Sequence, residues 1–434
     1  VDCESKSFCV LPWIHSFVNS NGAYQVCCIS EEFHHGIPDE KGDFYNIKNR
    51  PAVKSVMNSE MMKELRLKML EGEWSSVCTR CFETEKNGGN SRRIIENADY
   101  AQIISQLKNG TREDGSIDVE FKSLDYRLGN KCNLQCRMCN PFSSANWIKD
   151  WNDVKTKSEH LSVELADYYS GFNWPEENYL FDELKEKLKG VQRIHFAGGE
   201  PLISPQMSRM LKEIITLGHA KNMIVSYNTN ITVLPKEVLE LWKQFKEVRI
   251  LASIDGFGEV NDYIRPPSRW SVIDKNLTYL DEHAEELNVS EVIVSCTVQI
   301  YNALSIADLF NYLKKFKKIL PVLNLSNLFF PEYLSTQVLP SAAKKQATER
   351  LQTVLLDLNE RQVTHKYLVE NIKQTIAFMN EKDSSHLLSQ FKKTNSAFDK
   401  KKNVKMASVL PELNQYLVNF YIDQLVQESV PQDN

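Results

Sequence analysis

No apolar run in this chain is long enough to cross a bilayer, so a membrane-spanning helix is not expected. Neither sign of charge dominates: 52 basic against 57 acidic residues leave a formal net charge of -5, which gives no electrostatic reason to expect a nucleic-acid partner. There is no internal repeat and no low-complexity tract. The N-terminus, Val1-Asp2-Cys3, lacks a charged segment followed by an apolar one. No secretory signal is therefore expected, and the cytoplasm is the expected compartment. Cysteine is almost missing beyond residue 139, where only Cys296 occurs, so metal chemistry is expected at the front of the chain. What is present is an ordinary globular balance, 42% hydrophobic and 25% charged, over 434 residues, enough for two or three domains.

The other cysteines are Cys3, Cys9, Cys27, Cys28, Cys78, Cys81, Cys132, Cys136 and Cys139. Clustering of this kind points to metal rather than disulfides in a chain without signs of secretion. The stretch Lys131-Cys132-Asn133-Leu134-Gln135-Cys136-Arg137-Met138-Cys139-Asn140-Pro141 holds three of them as CxxxCxxC. Three thiolates cannot pair off without leaving one over. A tight trio suits a soft metal site, and an iron–sulfur cluster suits it best. In a [4Fe–4S] cluster one iron would then stay open to a small molecule. The plainer readings are a zinc site short of one ligand or buried cysteines that happen to cluster. Upstream, Cys9 and Cys27 flank an expected hairpin turn at Asn19-Ser20-Asn21-Gly22. An amphipathic helix is expected over 59–71, with Met62, Leu65, Leu67, Met69 and Leu70 on or near its apolar side. The pair Cys78-Thr79-Arg80-Cys81 follows it. Spacing alone serves zinc and iron–sulfur equally here.

Residues 121–330 alternate between strand and helix patterns. Strands are expected at 121–128, 191–196, 223–228, 248–254, 291–299 and 322–329, and helices near 143–153, 206–217, 236–246, 271–286 and 305–318. Such alternation implies a parallel sheet with right-handed crossovers, and sites at strand C-terminal ends. Chemistry-bearing motifs fall at those ends. The cysteine loop follows the first strand. Ala197-Gly198-Gly199-Glu200-Pro201-Leu202 follows the second, where glycines admit a close ligand and Glu200 suits an ammonium group. Tyr227-Asn228-Thr229-Asn230 ends the third. Ala252-Ser253-Ile254-Asp255-Gly256 ends the fourth, followed by Arg265, whose fork suits a carboxylate unless it is spent in a surface ion pair.

CxxxCxxC with Leu134 and Met138 between its cysteines resembles the signature of the radical S-adenosylmethionine (SAM) superfamily. The resemblance implies a partial (β/α)6 barrel over 121–330, with Cys132, Cys136 and Cys139 holding a [4Fe–4S] cluster. Gly198, Gly199, Glu200 and Pro201 are similar to the family's GGEP motif, which holds the SAM amino group. Asn228 and Asn230 are similar to its TNG element, with Asn230-Ile231 in place of Asn-Gly. Ser253 resembles the family's ribose or methionine contact and Arg265 its carboxylate contact, and Asp255 of the same motif is expected among the cofactor-binding residues. Cys9, Gly22, Cys27 and the later CxxC resemble the twitch domain, the half-length form of SPASM. This implies an auxiliary iron–sulfur cluster, [4Fe–4S] by type, on Cys9, Cys27, Cys78 and Cys81 within residues 1–120. Cys28 in place of Cys27 stays open, and Cys3 is spare. His15 reads as a packed residue.

The implied activity is reductive cleavage of SAM to a 5′-deoxyadenosyl radical that abstracts hydrogen from an unactivated C–H bond. The expected substrate is a peptide or protein; the alternative is a small polar molecule such as a sugar, aminocyclitol or nucleotide. A non-catalytic iron–sulfur or zinc protein is the third possibility. Flavodoxin or ferredoxin is the implied electron donor. On the fifth strand Cys296 is read either as a core residue or as an inward-facing thiol that donates hydrogen to a substrate radical. The aromatic-rich segment 154–189, with Tyr168, Tyr169, Phe172, Trp174, Tyr179 and Phe181, is read as a cover for the barrel mouth or as an insertion with a core face. Residues 331–434 read as mainly helical, with a basic cluster from Lys392 to Lys405 expected in a solvated loop.

Overall fold

The computed structural model describes residues 6–30, 36–86, 89–155, 171–176, 181, 185, 188–319, 322–360 and 366–429. Cys3, Tyr168, Tyr169 and Tyr179 lie outside them. The chain forms two units. One comprises Val1–Lys131, Asp167–Asn228 and Pro235–Val248; the other comprises Cys132–Ala166, Thr229–Leu234 and Arg249–Asn434.

In the first unit the Asn19–Gly22 turn forms where the sequence predicts it, Gly22 N–H donating to Asn19 O at 2.8 Å. It joins β1 (His15–Val18) to β2 (Tyr24–Gln25), antiparallel with Phe17 opposite Gln25. The hairpin also extends a sheet, which the sequence did not reveal. β1 runs parallel to β3 (Ser123–Arg127), His15 opposite Ser123. Beyond β3 come β4 (Arg193–Ala197) and β5 (Ile224–Thr229), giving the order β2-β1-β3-β4-β5. Register sorts the faces. Leu124, Ile194 and Val225 form one row, and Asp125, His195 and Ser226 the next. Because successive residues alternate faces, one face is apolar and the other carries charge and hydroxyl. His195 Nδ1 and Ser226 Oγ lie 2.8 Å apart on the polar one.

The expected amphipathic helix is Glu60–Glu71. Met62, Leu65 and Met69 are buried, and so is Arg66, which periodicity had not marked. Its guanidinium donates to Pro12 O (3.0 Å), to Gly115 O (2.8 Å) and to Met57 O. Three carbonyls satisfy a cation that has no counter-ion at hydrogen-bond distance among the described residues, and burial lowers its pKa to about 10. Phe172, Trp174 and Phe181 are all buried, so these three rings serve a core; Trp174 Nε1 donates to Ser20 O at 2.9 Å.

The second unit carries most of β6 (Glu247–Ser253), then β7 (Val289–Val298) and β8 (Val322–Asn327), in the order β6-β7-β8. On β7 the residues Val292, Val294, Cys296 and Val298 are buried, whereas Ile293, Ser295 and Thr297 are half-buried. The helix expected near 143–153 is broken into the 3-10 turn Ala145–Trp147 and the single turn Trp151–Val154. Its side chains are spent on the neighbouring cysteine loop. Ser144 Oγ donates to Leu134 O (2.7 Å), Asn146 Nδ2 to Cys132 O (2.8 Å) and Trp147 Nε1 to Cys136 O (2.9 Å). The remainder is helical as expected: Ser341–Glu360, Lys366–Glu381, Leu388–Lys402 and Pro411–Ser429. Most of the basic cluster lies on Leu388–Lys402 rather than in a loop, and Lys401 pairs with Asp150 (2.8 Å) and Asp153 (2.7 Å). Among the described residues no helix is long and apolar enough to cross a membrane.

Candidate active site

The cysteine loop of the second unit is pinned at both backbone and side chain. Gln135 N–H donates to Pro266 O (2.7 Å) and Arg137 N–H to Ile264 O (2.9 Å), so the loop lies along the segment that carries Arg265. Arg265 Nε donates to Asp255 Oδ2 at 2.7 Å, and its Nη1 approaches Cys136 Sγ at 3.8 Å. Asp255 Oδ1 takes the Thr297 N–H (2.8 Å) and its backbone carbonyl takes Asn302 Nδ2 (2.8 Å). The ion pair weighed for Arg265 thus exists, but it is buried. Burial opposes the guanidinium's charge, while Asp255, Cys136 and Cys139 hold it protonated. Cys136 and Cys139 split their titration. The hydrogen bond with Cys139, then burial, holds the Cys136 thiol well up; the same bond holds Cys139 down. A thiol trio beside a fixed cation suits a metal cluster that takes thiolates.

The glycine motif lies in the first unit. Gly198 and Gly199 adopt φ of +80° and +50°. A Cβ on Gly199 would sit 2.0 Å from Lys131 O, on the residue preceding Cys132 in the chain, and one on Gly198 would sit 2.8 Å from Gly129 O. Glu200 N–H donates to the same Lys131 carbonyl at 2.8 Å. Glu200 is buried, and its Oε1 caps the short turn Pro201–Ile203 by accepting the Leu202 N–H at 3.1 Å. Replacing Gly199 by Ala is expected to cost about 1–3 kcal/mol from backbone conformation alone, with the carbonyl clash added to it. Chemical denaturation of the metal-free protein checks this; an unchanged midpoint would show that the turn relaxes freely.

Other strand-end residues vary in how they are held. Asn228 is exposed. Asn230 is buried and donates to Asn133 Oδ1 at 2.8 Å, while its Oδ1 accepts the Thr232 hydroxyl at 2.6 Å. Ile231, where the family has glycine, keeps a left-handed φ of +55° with its side chain fully buried. Ser253 ends β6 half-buried. Cys296 shares its face with Leu325, its register partner, and with the buried valines. Asn302 Nδ2 lies 3.5 Å from its Sγ, and burial pushes the thiol well up. The alternation is as expected, but Ser295 and Thr297 occupy the more open face.

The N-terminal cysteines are placed differently around one cavity. Cys9, Cys27, Cys78 and Cys81 line it, walled also by Leu11, Val26, Ile29 and Met69. Cys28 is not in that wall; Arg92 Nη1 donates to its Sγ at 2.7 Å. Burial raises the Cys78 thiol to about 12 and pushes Cys9 and Cys27 up as well, so without a cation these sulfurs stay protonated. Among the described residues no three His, Cys, Asp or Glu groups converge where a single metal ion would sit. His15 is packed, its Nδ1 3.1 Å from Ser123 Oγ, and burial, then Arg92, lowers its pKa to about 4.

Sequence reasoning missed three residues beside these sites. Asn133 bridges to the third strand-end motif, Arg137 ties the cysteine loop to a C-terminal helix, and Arg92 reaches the N-terminal thiols. Their only signal was position: two sit inside CxxxCxxC, and Arg92 follows the N-cap Ser91 of the helix Arg92–Asp99.

The radical SAM superfamily matches residues 126–294, and the SPASM iron–sulfur cluster-binding domain matches residues 9–82. An uncharacterised protein of Methanocaldococcus jannaschii is 24% identical over 147 residues, 34% of this chain and 42% of its own. GTP 3′,8-cyclase of Aquifex aeolicus is 22% identical over 239 residues, 52% of this chain and 66% of its own. The chain thus spans less than two thirds of either relative. Among solved structures, anSMEcpe with bound AdoMet is 17% identical with a TM-score of 0.38, covering 56% of this chain and 62% of its own. Streptococcus suis SuiB bound to S-adenosylmethionine is 15% identical with a TM-score of 0.35, covering 70% and 64%. Residues 126–294 therefore form a radical SAM domain, preceded by a SPASM iron–sulfur domain at residues 9–82, and these two domains imply a [4Fe–4S] cluster with S-adenosylmethionine and an auxiliary iron–sulfur cluster.

Proposed function

We propose that this enzyme cleaves SAM at the cluster held by Cys132, Cys136 and Cys139, and acts on a peptide or protein. The buried arrangement of the cysteine loop along the Arg265 segment carries the reading. When bound, the cluster and SAM supply a 5′-deoxyadenosyl radical that removes hydrogen from an unactivated C–H bond. The chain's own part is positioning. Asp255 fixes the Arg265 guanidinium beside Cys136, where it would orient the SAM carboxylate. Gly198, Gly199, Glu200 and Pro201 would receive the SAM amino group. Asn228, Asn230 and Ser253 would contact the remainder of SAM. In the first unit Cys9, Cys27, Cys78 and Cys81 would hold the auxiliary cluster. A flavodoxin or ferredoxin is the proposed electron donor.

The SPASM match supports a peptide or protein substrate. A second reading, a small polar molecule, has one observation in its favour: GTP 3′,8-cyclase, named for a nucleotide, matches across half of this chain.

The test is anaerobic incubation with SAM, a reductant and cell extract, with mass spectrometry for products whose formation tracks 5′-deoxyadenosine. A Cys78→Ala, Cys81→Ala protein is expected to keep making 5′-deoxyadenosine while losing turnover of the substrate so identified. Full turnover by that variant, shown by iron analysis to lack the auxiliary cluster, would reduce the cluster to a scaffold.

A further inference from the structure

Two arginines stand in the wall of the cavity lined by Cys9, Cys27, Cys78 and Cys81, and they are used differently. Arg93 is spent on the protein. Its Nε and Nη2 donate to the Glu85 carboxylate at 2.8 and 2.5 Å, and its Nη1 donates to Phe8 O at 3.0 Å. Arg92 is held from three sides: Nη1 on Cys28 Sγ at 2.7 Å, and Nη2 3.4 Å from Glu96 and 3.8 Å from Asp125 of β3. Its Nε is buried and has no hydrogen-bond partner among the described residues. A buried N–H without an acceptor is costly, and native proteins seldom leave one. Here the orphaned donor belongs to a cation in a cavity whose other polar lining is the four thiols, Ser30 and the already engaged Arg93.

We propose that Arg92 is a positioning residue for electron transfer: its guanidinium hydrogen-bonds a sulfur of the auxiliary cluster and raises that cluster's reduction potential, making it a better electron acceptor. The inference rests on the auxiliary cluster occupying the cavity of the four cysteines. One-electron reduction adds one negative charge to the cluster. A fixed cation and an N–H donor at the sulfurs stabilise that reduced state over the oxidised one. Asp125 and Glu96 hold the guanidinium in place from β3 and from its own helix. They are carboxylates kept charged in spite of burial, Glu96 by Arg193 and Arg92, Asp125 by His195 and Arg92. Cys28 then has a role without being a ligand, as the side chain that fixes the outer edge of the fork.

The experiment is an EPR-monitored redox titration of the reconstituted full chain. The barrel signal is assigned as the one that SAM perturbs. Arg92→Met keeps the bulk and removes the charge. It is expected to retain iron and to shift the auxiliary midpoint negative by about 60 mV, a tenfold change for a one-electron couple, with the barrel midpoint unmoved. Arg92→Lys keeps a charge but not the fork and is expected to shift less. Cys28→Ala is expected to keep the auxiliary cluster. An unmoved auxiliary midpoint in Arg92→Met at wild-type iron content overturns the inference. So does loss of the cluster from both Arg92 variants, which would make the residue purely structural, or loss from Cys28→Ala, which would make Cys28 a ligand. A wild-type chain with no auxiliary signal would instead overturn the assignment of the cluster to these cysteines.

Discussion

A chain in which Cys132, Cys136 and Cys139 are all alanine is expected to bind about four irons after anaerobic reconstitution, where the unaltered chain binds about eight. It is also expected to release no 5′-deoxyadenosine from SAM. The two cysteine sets lie in different units, so emptying one leaves the other's thiols in place. The trio has no fourth cysteine within its loop, and the neighbour nearest in kind is a cation, Arg265, which cannot ligate iron. An open iron is therefore expected in that set alone. Iron and sulfide assays together with a SAM cleavage assay check both claims. Zinc in the N-terminal set, or loss of all iron from the triple variant, would sink the two-cluster assignment.

The second large effect is expected at Arg137, inside CxxxCxxC. Its guanidinium is almost fully buried and serves three acceptors: Nε donates to Tyr263 O (2.7 Å), Nη1 to Asn395 Oδ1 (2.8 Å) and Nη2 to Asp399 Oδ1 (2.6 Å). It lies 3.6 Å from the Tyr263 ring centroid and 4.6 Å from that of Phe398. Asn395 and Asp399 belong to the helix Leu388–Lys402, so this one side chain fastens the cysteine loop to the C-terminal region. Arg137→Met would leave Asp399 without its cation. Breaking a buried pair from one side costs on the order of 3–5 kcal/mol. Denaturant unfolding of the metal-free protein should show that loss, and SAM cleavage should fall with it. Adding Asp399→Leu should restore much of the stability, because an apolar pair of similar volume needs no desolvation. A single variant that unfolds at the unaltered midpoint would show that the helix is not anchored through this residue.

Most of the strands and of the motifs at their ends were legible from residue patterns. All six expected parallel strands occur, shifted by at most a few residues, because buried strands announce themselves as short β-branched and apolar runs. The motifs at their ends were legible because cysteine, paired glycine and Asn-rich turns are uncommon and carry specific geometry. Three features were not. The 143–153 segment has helix-forming composition, but Ser144, Asn146 and Trp147 bond the cysteine loop instead, a tertiary demand that overrides propensity. Arg66, Arg92 and Arg137 look like surface charges in a linear reading, since nothing local shows which carbonyl, thiol or carboxylate waits across the fold. Ile231 hides a left-handed position that glycine would have marked; its side chain is fully buried, and that burial offsets the strain.

The pairing of β1 with β3 has a consequence for how separable the N-terminal region is. β1 is bonded on one side to β2 and on the other to β3, and Lys122 N–H donates to Ile14 O at the start of that ladder. A chain cut back to residue 121 would lose more than its auxiliary cluster site. It would bare the full edge of β3, a row of unpaired N–H and C=O groups of the kind that recruits strands from other molecules. The cysteine-rich front of this protein is therefore not a detachable attachment to a finished catalytic sheet. It moves that border from β3 out to the two-residue strand β2, so truncation by simple removal of the front would expose a longer edge to self-association.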